Sequence, residues 1–267
     1  RIPFPRLAGY RLAGFGVSYF TPGPQFGGEP LQVLLIQRQH GVPRETAIAS
    51  VTLDKLLEIL VNFAFLAGGL TCVAHCGIFG FTWARDALIL VAVLLCLPAA
   101  LLASLWSGAR PVERLVTHLG HWSVWRRLFS GQRQRATVRN AGATLVASEA
   151  EAHRFLRQHP ATVLQALCVS LFTWTAMVAE YWLMLHFLGY SLSPAQTIGA
   201  LTAARVAFLA PLPGGLGTLE ASQVIALGAF GLTPAAGISL SLLIRVRDVI
   251  LGGLGLYVGA AASKPVA

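Results

Sequence analysis

Two glutamates occupy matching places in an otherwise apolar chain. Glu29 follows Pro22-Gly23-Pro24 and Gly27-Gly28, and Glu220 follows Pro213-Gly214-Gly215-Leu216-Gly217. Proline lacks an amide donor and glycine loosens the backbone, so each run must break a helix. Each glutamate then falls in the first turn of the helix that resumes. A carboxylate there is favoured by the helix dipole and by unpaired amides. Capping of this kind accounts for the position. The apolar surroundings add a second requirement, because a carboxylate in them must be paired, protonated or wetted, as a gating group would be. A pair of such acids is also what acid–base chemistry inside a membrane would need. On sequence alone all three readings stay open.

Other charges are few enough to consider singly. Asp54 and Glu58 are four residues apart and share a helix face, with Lys55 turned about 100° away. Arg245 and Asp248 share a face in the same way. Low dielectric favours pairing of such groups, and the natural expectation is an ion pair between Asp54 and Arg245. Arg205 and Glu180 are further isolated charges in apolar stretches. They suit a salt bridge between neighbouring spans, and Arg205 equally suits a phosphate, through its planar donor array. Cys72-Val73-Ala74-His75-Cys76 offers three metal ligands without a fourth, so no metal is expected. Gly214-Gly215-Leu216-Gly217 is not followed by Lys-Ser/Thr and lacks a βαβ setting, which removes phosphate-loop and dinucleotide readings. No cofactor is expected. Gly252, Gly255 and Gly259 provide the small-residue spacing of close helix packing.

The elements that must position these residues follow from composition. Of 267 residues, 55% are hydrophobic and 12% charged, about half the charged share of a soluble domain. Residues 87–106, 161–179 and 221–244 carry no Asp, Glu, Lys or Arg. A bilayer core asks for roughly 20 apolar residues per helix, so the chain reads as a polytopic all-α membrane protein. Soluble enzymes, nucleic-acid binders and disulfide scaffolds are excluded. The net charge of +9 is concentrated in 107–159, where nine arginines face three acids (Glu113, Glu149 and Glu151). Basic segments gather on the cytoplasmic side, near anionic head groups. Residues 107–159 are therefore expected to form one or two cytoplasmic interfacial helices, with Trp106, Trp122 and Trp125 at head-group level. Spans are expected at about 44–70, 84–106, 161–187, 194–210 and from Pro234 to about 262. Residues 71–83 read as a loop and 10–39 as a mixed segment holding the first break.

A shift of 191 positions pairs Pro22 with Pro213, Gly23 with Gly214, Glu29 with Glu220 and Pro43 with Pro234. Ser50, Leu60 and Gly68 then meet Ser241, Leu251 and Gly259, and Asp54 meets Arg245. The order of elements agrees too: Pro/Gly break, acid, short helix, turn ending in Pro, long helix. These are a first repeat over 10–70 and a second over 201–262. With 107–159 inside, the turn at 41–44 lies inside and its partner at 231–234 outside, so the repeats have opposite topology. Inverted repeats with broken, re-entrant helices are transporter architecture. Backbone freed at membrane depth needs protein or a watered cavity around it.

The chain resembles the flippase-like family that also forms the transmembrane region of lysylphosphatidylglycerol synthases. The likeness rests on Gly27-Gly28-Glu29 before Arg38-Gln39-His40-Gly41, on Ala47-Ile48-Ala49-Ser50 leading to Asp54-Lys55, on Pro213-Gly214-Gly215-Leu216-Gly217-Thr218-Leu219-Glu220, and on Arg245. Lys55 stands where the family usually carries Arg. The resemblance implies lipid translocation in a bacterial inner membrane, with aminoacylated, isoprenoid-linked or hopanoid-associated lipids as substrates. It implies membrane lipids, anionic or isoprenoid-linked, and a lipid-synthesis enzyme as partners. It also implies native transmembrane helices ahead of Arg1 in a single transmembrane domain. A membrane scaffold for lipid synthesis and an intramembrane lipid-modifying enzyme are the alternatives. The site residues expected to bind substrate or gate its passage are Glu29, Asp54, Arg205, Pro213, Gly214, Gly215, Gly217, Glu220 and Arg245.

Overall fold

A computed structural model describes residues 2–21, 27–75, 81–120 and 132–263, with backbone alone for 75, 81–84, 119–120 and 132–139. Among the described residues the chain is all helical. Helix α1 (Phe4–Phe20) is followed by α2 (Glu29–His40), α3 (Arg44–His75) and α4 (Phe81–Ser107). Then come α5 (Pro111–Gly120), α6 (Gln132–Gln158) and α7 (Pro160–Phe187). Helix α8 (Pro194–Ala207), a 3-10 turn (Pro213–Gly215), α9 (Thr218–Ala229) and α10 (Pro234–Ala262) complete it.

Local chemistry places the boundaries. Gly41 adopts a left-handed conformation (φ 60°) and its amide reaches back to the Gln37 carbonyl at 2.9 Å, so α2 stops before Pro43. Ser193 and Gln196 form a reciprocal capping box, with Pro194 pre-set for the first helical position of α8. Gly231 (φ 82°) ends the α9 segment, and Pro234 opens α10. Two boundaries differ from expectation. The mixed lead at 10–39 begins with a 17-residue helix, α1, because its glycines permit close packing rather than breaking the helix. Helix α3 runs to His75, five residues past the expected end, since Leu70 and Val73 are buried and continue its apolar face. The break at Pro22-Gly23-Pro24, Trp122, Trp125 and Cys76 lie outside the described residues.

Two helix triplets, α1–α2–α3 and α8–α9–α10, follow the same order. The first helix of each packs against the last helix of the other, α1 on α10 and α8 on α3. Small residues set both contacts. Gly255 of α10 lies directly against the Leu12 carbonyl, and Gly69 of α3 lies against the Thr202 side chain. A side chain at either position would collide, so the glycine spacing on α10 is a packing device. The central core gathers Leu201, Leu219, Leu227, Leu240 and Ile244 around Tyr181 and Leu185 of α7. A second cluster, with Tyr10, Ala13, Leu35, Ala47 and Val51, joins α1, α2 and α3.

Among the described residues three helices are long and apolar enough to cross a membrane, over 44–74, 85–107 and 160–187. Helix α10 is long enough as well, but Arg245, Arg247 and Asp248 interrupt its middle. Along α7, Tyr181 and Leu185 are buried while Val169, Leu171 and Phe172 stand out, Phe172 at 74% exposure. An apolar face of that extent needs lipid or protein over it. Among the described residues the arginine-rich segment contributes α5 and α6. There the buried Glu149 carboxylate accepts hydrogen bonds from the Val112 and Glu113 amides at 2.7 and 2.9 Å, capping α5 from a neighbouring helix.

Candidate functional site

Each resuming helix begins with the same arrangement. In the first triplet the Glu29 carboxylate accepts from the Gly27 amide at 2.8 Å and meets Lys55 Nζ at 3.1 Å. In the second, Glu220 accepts from the Gly217 amide at 2.9 Å and from Arg245 Nε at 2.9 Å, with Arg245 Nη2 reaching the same oxygen. In both, a glutamate closes the helix start and a cation from the following long helix closes the glutamate. Lys55 on α3 and Arg245 on α10 are the two cations. Their reach explains why a carboxylate can stand at either break in apolar surroundings.

The Pro213–Gly217 break is a tight, glycine-dependent turn. Gly214, Gly215 and Gly217 have φ of 54°, 62° and 79°, a region that favours glycine. The amides of Gly215 and Leu216 bond to the carbonyls of Leu212 and Pro213, and the Gly217 amide bonds to Glu220. These three donors are therefore satisfied within the turn. The Gly214 carbonyl lies 3.4 Å from Arg245 Nη1, so Arg245 ties the turn to α10 as well as to Glu220. Tyr19 of α1 closes over Gly214 from the other triplet.

The expected Asp54–Arg245 pair does not form. Asp54 takes Arg11 of α1 at 2.6 Å, while Arg245 is engaged by Glu220. The reason lies in packing: α1 lies against α10 and α2, and its Arg11 reaches Asp54 and Glu58 of α3. Arg11 also reaches Glu58 at 3.3 Å, and Lys55 reaches Glu58 at the same distance. Arg11, Glu29, Asp54, Lys55 and Glu58 thus form one network, three acids against two bases. Arg11 and Lys55 were not among the expected site residues. Arg11 carried a usable signal, being an isolated charge in an apolar lead, but nothing local named its partner.

Arg205 and Glu180 do not pair either. Glu180 takes Arg247 at 2.6 Å, and Arg247 also holds the buried Asp248 at 2.8 Å, a bridge between α7 and α10. Arg205, in the last turn of α8, has its guanidinium carbon 4.7 Å from the Trp174 ring centre and Nη2 2.8 Å from Met177 Sδ. Among the described residues it has no carboxylate partner.

Three cavities meet at the network. A groove of about 1100 Å³ between α2 and α3 is lined by Glu29, Pro30, Leu34, Arg44 and Lys55. A pocket of about 110 Å³ lies between Ser18, Tyr19, Glu29, Gln32 and Lys55. A third, of about 210 Å³, extends from Arg11, Lys55 and Glu58 to Trp174 and Arg205. Lys55 borders all three. An amphiphile could therefore keep an apolar part in the groove while its polar part meets fixed charges of both signs. Among the described residues no group of three His, Cys, Asp or Glu side chains is placed to hold a metal ion.

Comparison with known proteins identifies the family. Residues 1–255 match the family described as the lysylphosphatidylglycerol synthase transmembrane region. A UPF0104 membrane protein of Methanothermobacter thermautotrophicus is 24% identical over 270 residues, covering 98% of this chain and 76% of that protein. No solved structure matches the chain. With long apolar helices and a family match over nearly its whole length, the chain is a membrane protein that belongs to the family of the lysylphosphatidylglycerol synthase transmembrane region.

Proposed function

We propose that the protein translocates a polar-head-group or isoprenoid-linked lipid across the inner (plasma) membrane. The observation that carries the proposal is the convergence of three cavities on the Glu29–Lys55–Glu58 network. A large groove with much apolar lining beside fixed charges suits a molecule that is itself part apolar and part polar. The two triplets, matched in order and packed reciprocally, support a second element of the reading. In this reading they are inverted-topology repeats with Glu29 and Glu220 as paired gates. Opening would exchange each glutamate's cation for substrate or water, which is why both the acid and its partner are assigned here.

Reconstitution into vesicles with labelled lipids tests the function. Transfer of label between leaflets, dependent on Glu29 and Glu220, is the expected result. New lipid species would instead indicate an intramembrane enzyme, and neither transfer nor product would indicate a scaffold for a lipid-synthesis enzyme. Topology is tested by cysteine labelling. With Cys72, Cys76, Cys96 and Cys168 replaced, the Ala147→Cys variant should resist an impermeant thiol reagent added outside intact cells. Strong labelling from outside would remove the cytoplasmic placement of 107–159 and the inverted repeat built on it.

A further inference from the structure

Arg205 is the cation whose surroundings are least explained by the protein itself. A guanidinium carries five N–H donors and keeps its charge at any accessible pH. In the described structure Arg205 spends one of them on Met177 Sδ, a weak acceptor, and lays its face near Trp174. Trp174 is held in turn by Phe65 of α3, with ring centres 4.3 Å apart. The stack fixes the plane of the guanidinium and leaves most of its donors without an acceptor. A half-buried arginine so placed in a membrane protein calls for an anion.

The 210 Å³ cavity supplies the room. Arg205 and Trp174 line one end, Asn62 and Thr173 add neutral polar groups, and Glu58 is its one acid among three cations. The other two cations, Arg11 and Lys55, are already engaged with carboxylates, so the uncompensated charge lies at the Arg205 end. The Thr173 hydroxyl donates to the Val169 carbonyl at 2.9 Å, which leaves the Asn62 amide to donate to an oxyanion that a guanidinium fork has already oriented. At the cavity's edge Thr173 and Leu209 are exposed, and the adjoining Phe172 and Val169 continue the exposed apolar face of α7. An anion bound here would have an apolar surface directly beside it.

We propose that Arg205 binds the phosphate of a phospholipid head group, with Asn62 donating to it and the acyl chains lying along α7. The inference rests on the lipid-handling reading above and assigns the recognition of the head-group phosphate to one residue, Arg205. Electrostatics, hydrogen bonding and the apolar rim all require the same kind of ligand, one that carries phosphate and chains together.

The test uses the purified full chain in detergent, with phosphatidylglycerol, diacylglycerol of the same chains, and inorganic phosphate as probes. Retained lipid is read by native mass spectrometry. Phosphatidylglycerol should be retained and diacylglycerol should not. Inorganic phosphate should displace the lipid only at concentrations far above it, and tight phosphate binding without lipid retention would make this a small-anion site and overturn the lipid assignment. The Arg205→Gln variant should lose about tenfold or more in affinity for phosphatidylglycerol. Arg205→Lys keeps the charge without the fork and should fall between the two. Equal retention of phosphatidylglycerol and diacylglycerol by the unaltered protein overturns the proposal without any variant, as does wild-type affinity in Arg205→Gln. Phosphate-selective binding without translocation would leave this site standing and remove the transport reading. Translocation that is indifferent to lipid phosphate and to Arg205 would do the reverse.

Discussion

Replacing Glu220 by Gln keeps the size of the side chain and one carbonyl acceptor while removing its charge. The Gly217 amide can still be met by the Gln oxygen, so the helix start need not be lost. What changes is Arg245. Its Nε at 2.9 Å and its Nη2 both bond to one Glu220 oxygen, leaving the Gly214 carbonyl as its further contact. The pair is neither surface nor core: Arg245 is 19% and Glu220 35% exposed. Breaking a fully buried pair costs about 3–5 kcal/mol, and an exposed pair contributes about 0–1 kcal/mol. An intermediate loss of about 2 kcal/mol is expected for Glu220→Gln. Glu29→Gln should lose less, about 1 kcal/mol, because Lys55 retains Glu58 at 3.3 Å whereas Arg245 has no second carboxylate among the described residues. Thermal unfolding in detergent gives the order of the two. Initial translocation rates per folded molecule, measured on the same preparations, should fall severely for Glu220→Gln and less for Glu29→Gln. Equal stability losses would refute the argument from pairing. Near-normal rates in both variants would reduce the glutamates to caps and remove them from the transport mechanism.

Three further outcomes follow from particular contacts. Asp54→Asn and Arg245→Gln should behave additively in a double-mutant cycle, whereas Asp54→Asn and Arg11→Gln should couple by about 0.5–1 kcal/mol. The second pair is half-exposed at 2.6 Å, and a strong Asp54–Arg245 coupling would contradict the fold. Gly214→Ala should destabilise the protein by about 1–3 kcal/mol, since φ is 54° and an added Cβ would come within 2.9 Å of the Tyr19 ring; a Gly214→Ala, Tyr19→Leu variant should recover the steric part and not the conformational part. Glu149→Gln should loosen the first turn of α5, costing about 1 kcal/mol, visible as faster amide hydrogen exchange at Val112 and Glu113, whose donors it meets.

The reciprocal packing gives the two breaks a physical connection. Tyr19 of the first triplet rests on Gly214 of the second, and α1 fits against α10 through glycines that admit no side chain. A shift of α1 along α10 would therefore disturb the Pro213–Gly217 turn and the Arg11–Asp54 contact together. That coupling is the kind a transporter with two gates needs, and it runs through close backbone contact rather than through a long chain of side chains.

Hydropathy and backbone chemistry are properties of short stretches, so the sequence alone determined what depends on them. Charge-free runs placed the apolar spans at α4 and α7, and Pro43, Pro194 and Pro234 marked helix starts to within a residue. The positions of Glu29 and Glu220 at the first turns of resuming helices were also legible, because capping is a matter of a few neighbouring residues. The tertiary structure decided the partners. Asp54 and Arg245 correspond under the 191-residue shift, yet correspondence between repeats does not make two residues neighbours. Which cation meets Asp54 depends on where α1 carries Arg11, and α1 is seated on α10 by glycines meeting backbone more than two hundred residues away. Ion pairing is decided over a few ångströms of space. Sequence spacing fixes the face of a helix on which a charge stands, but only packing decides which other helix stands opposite it.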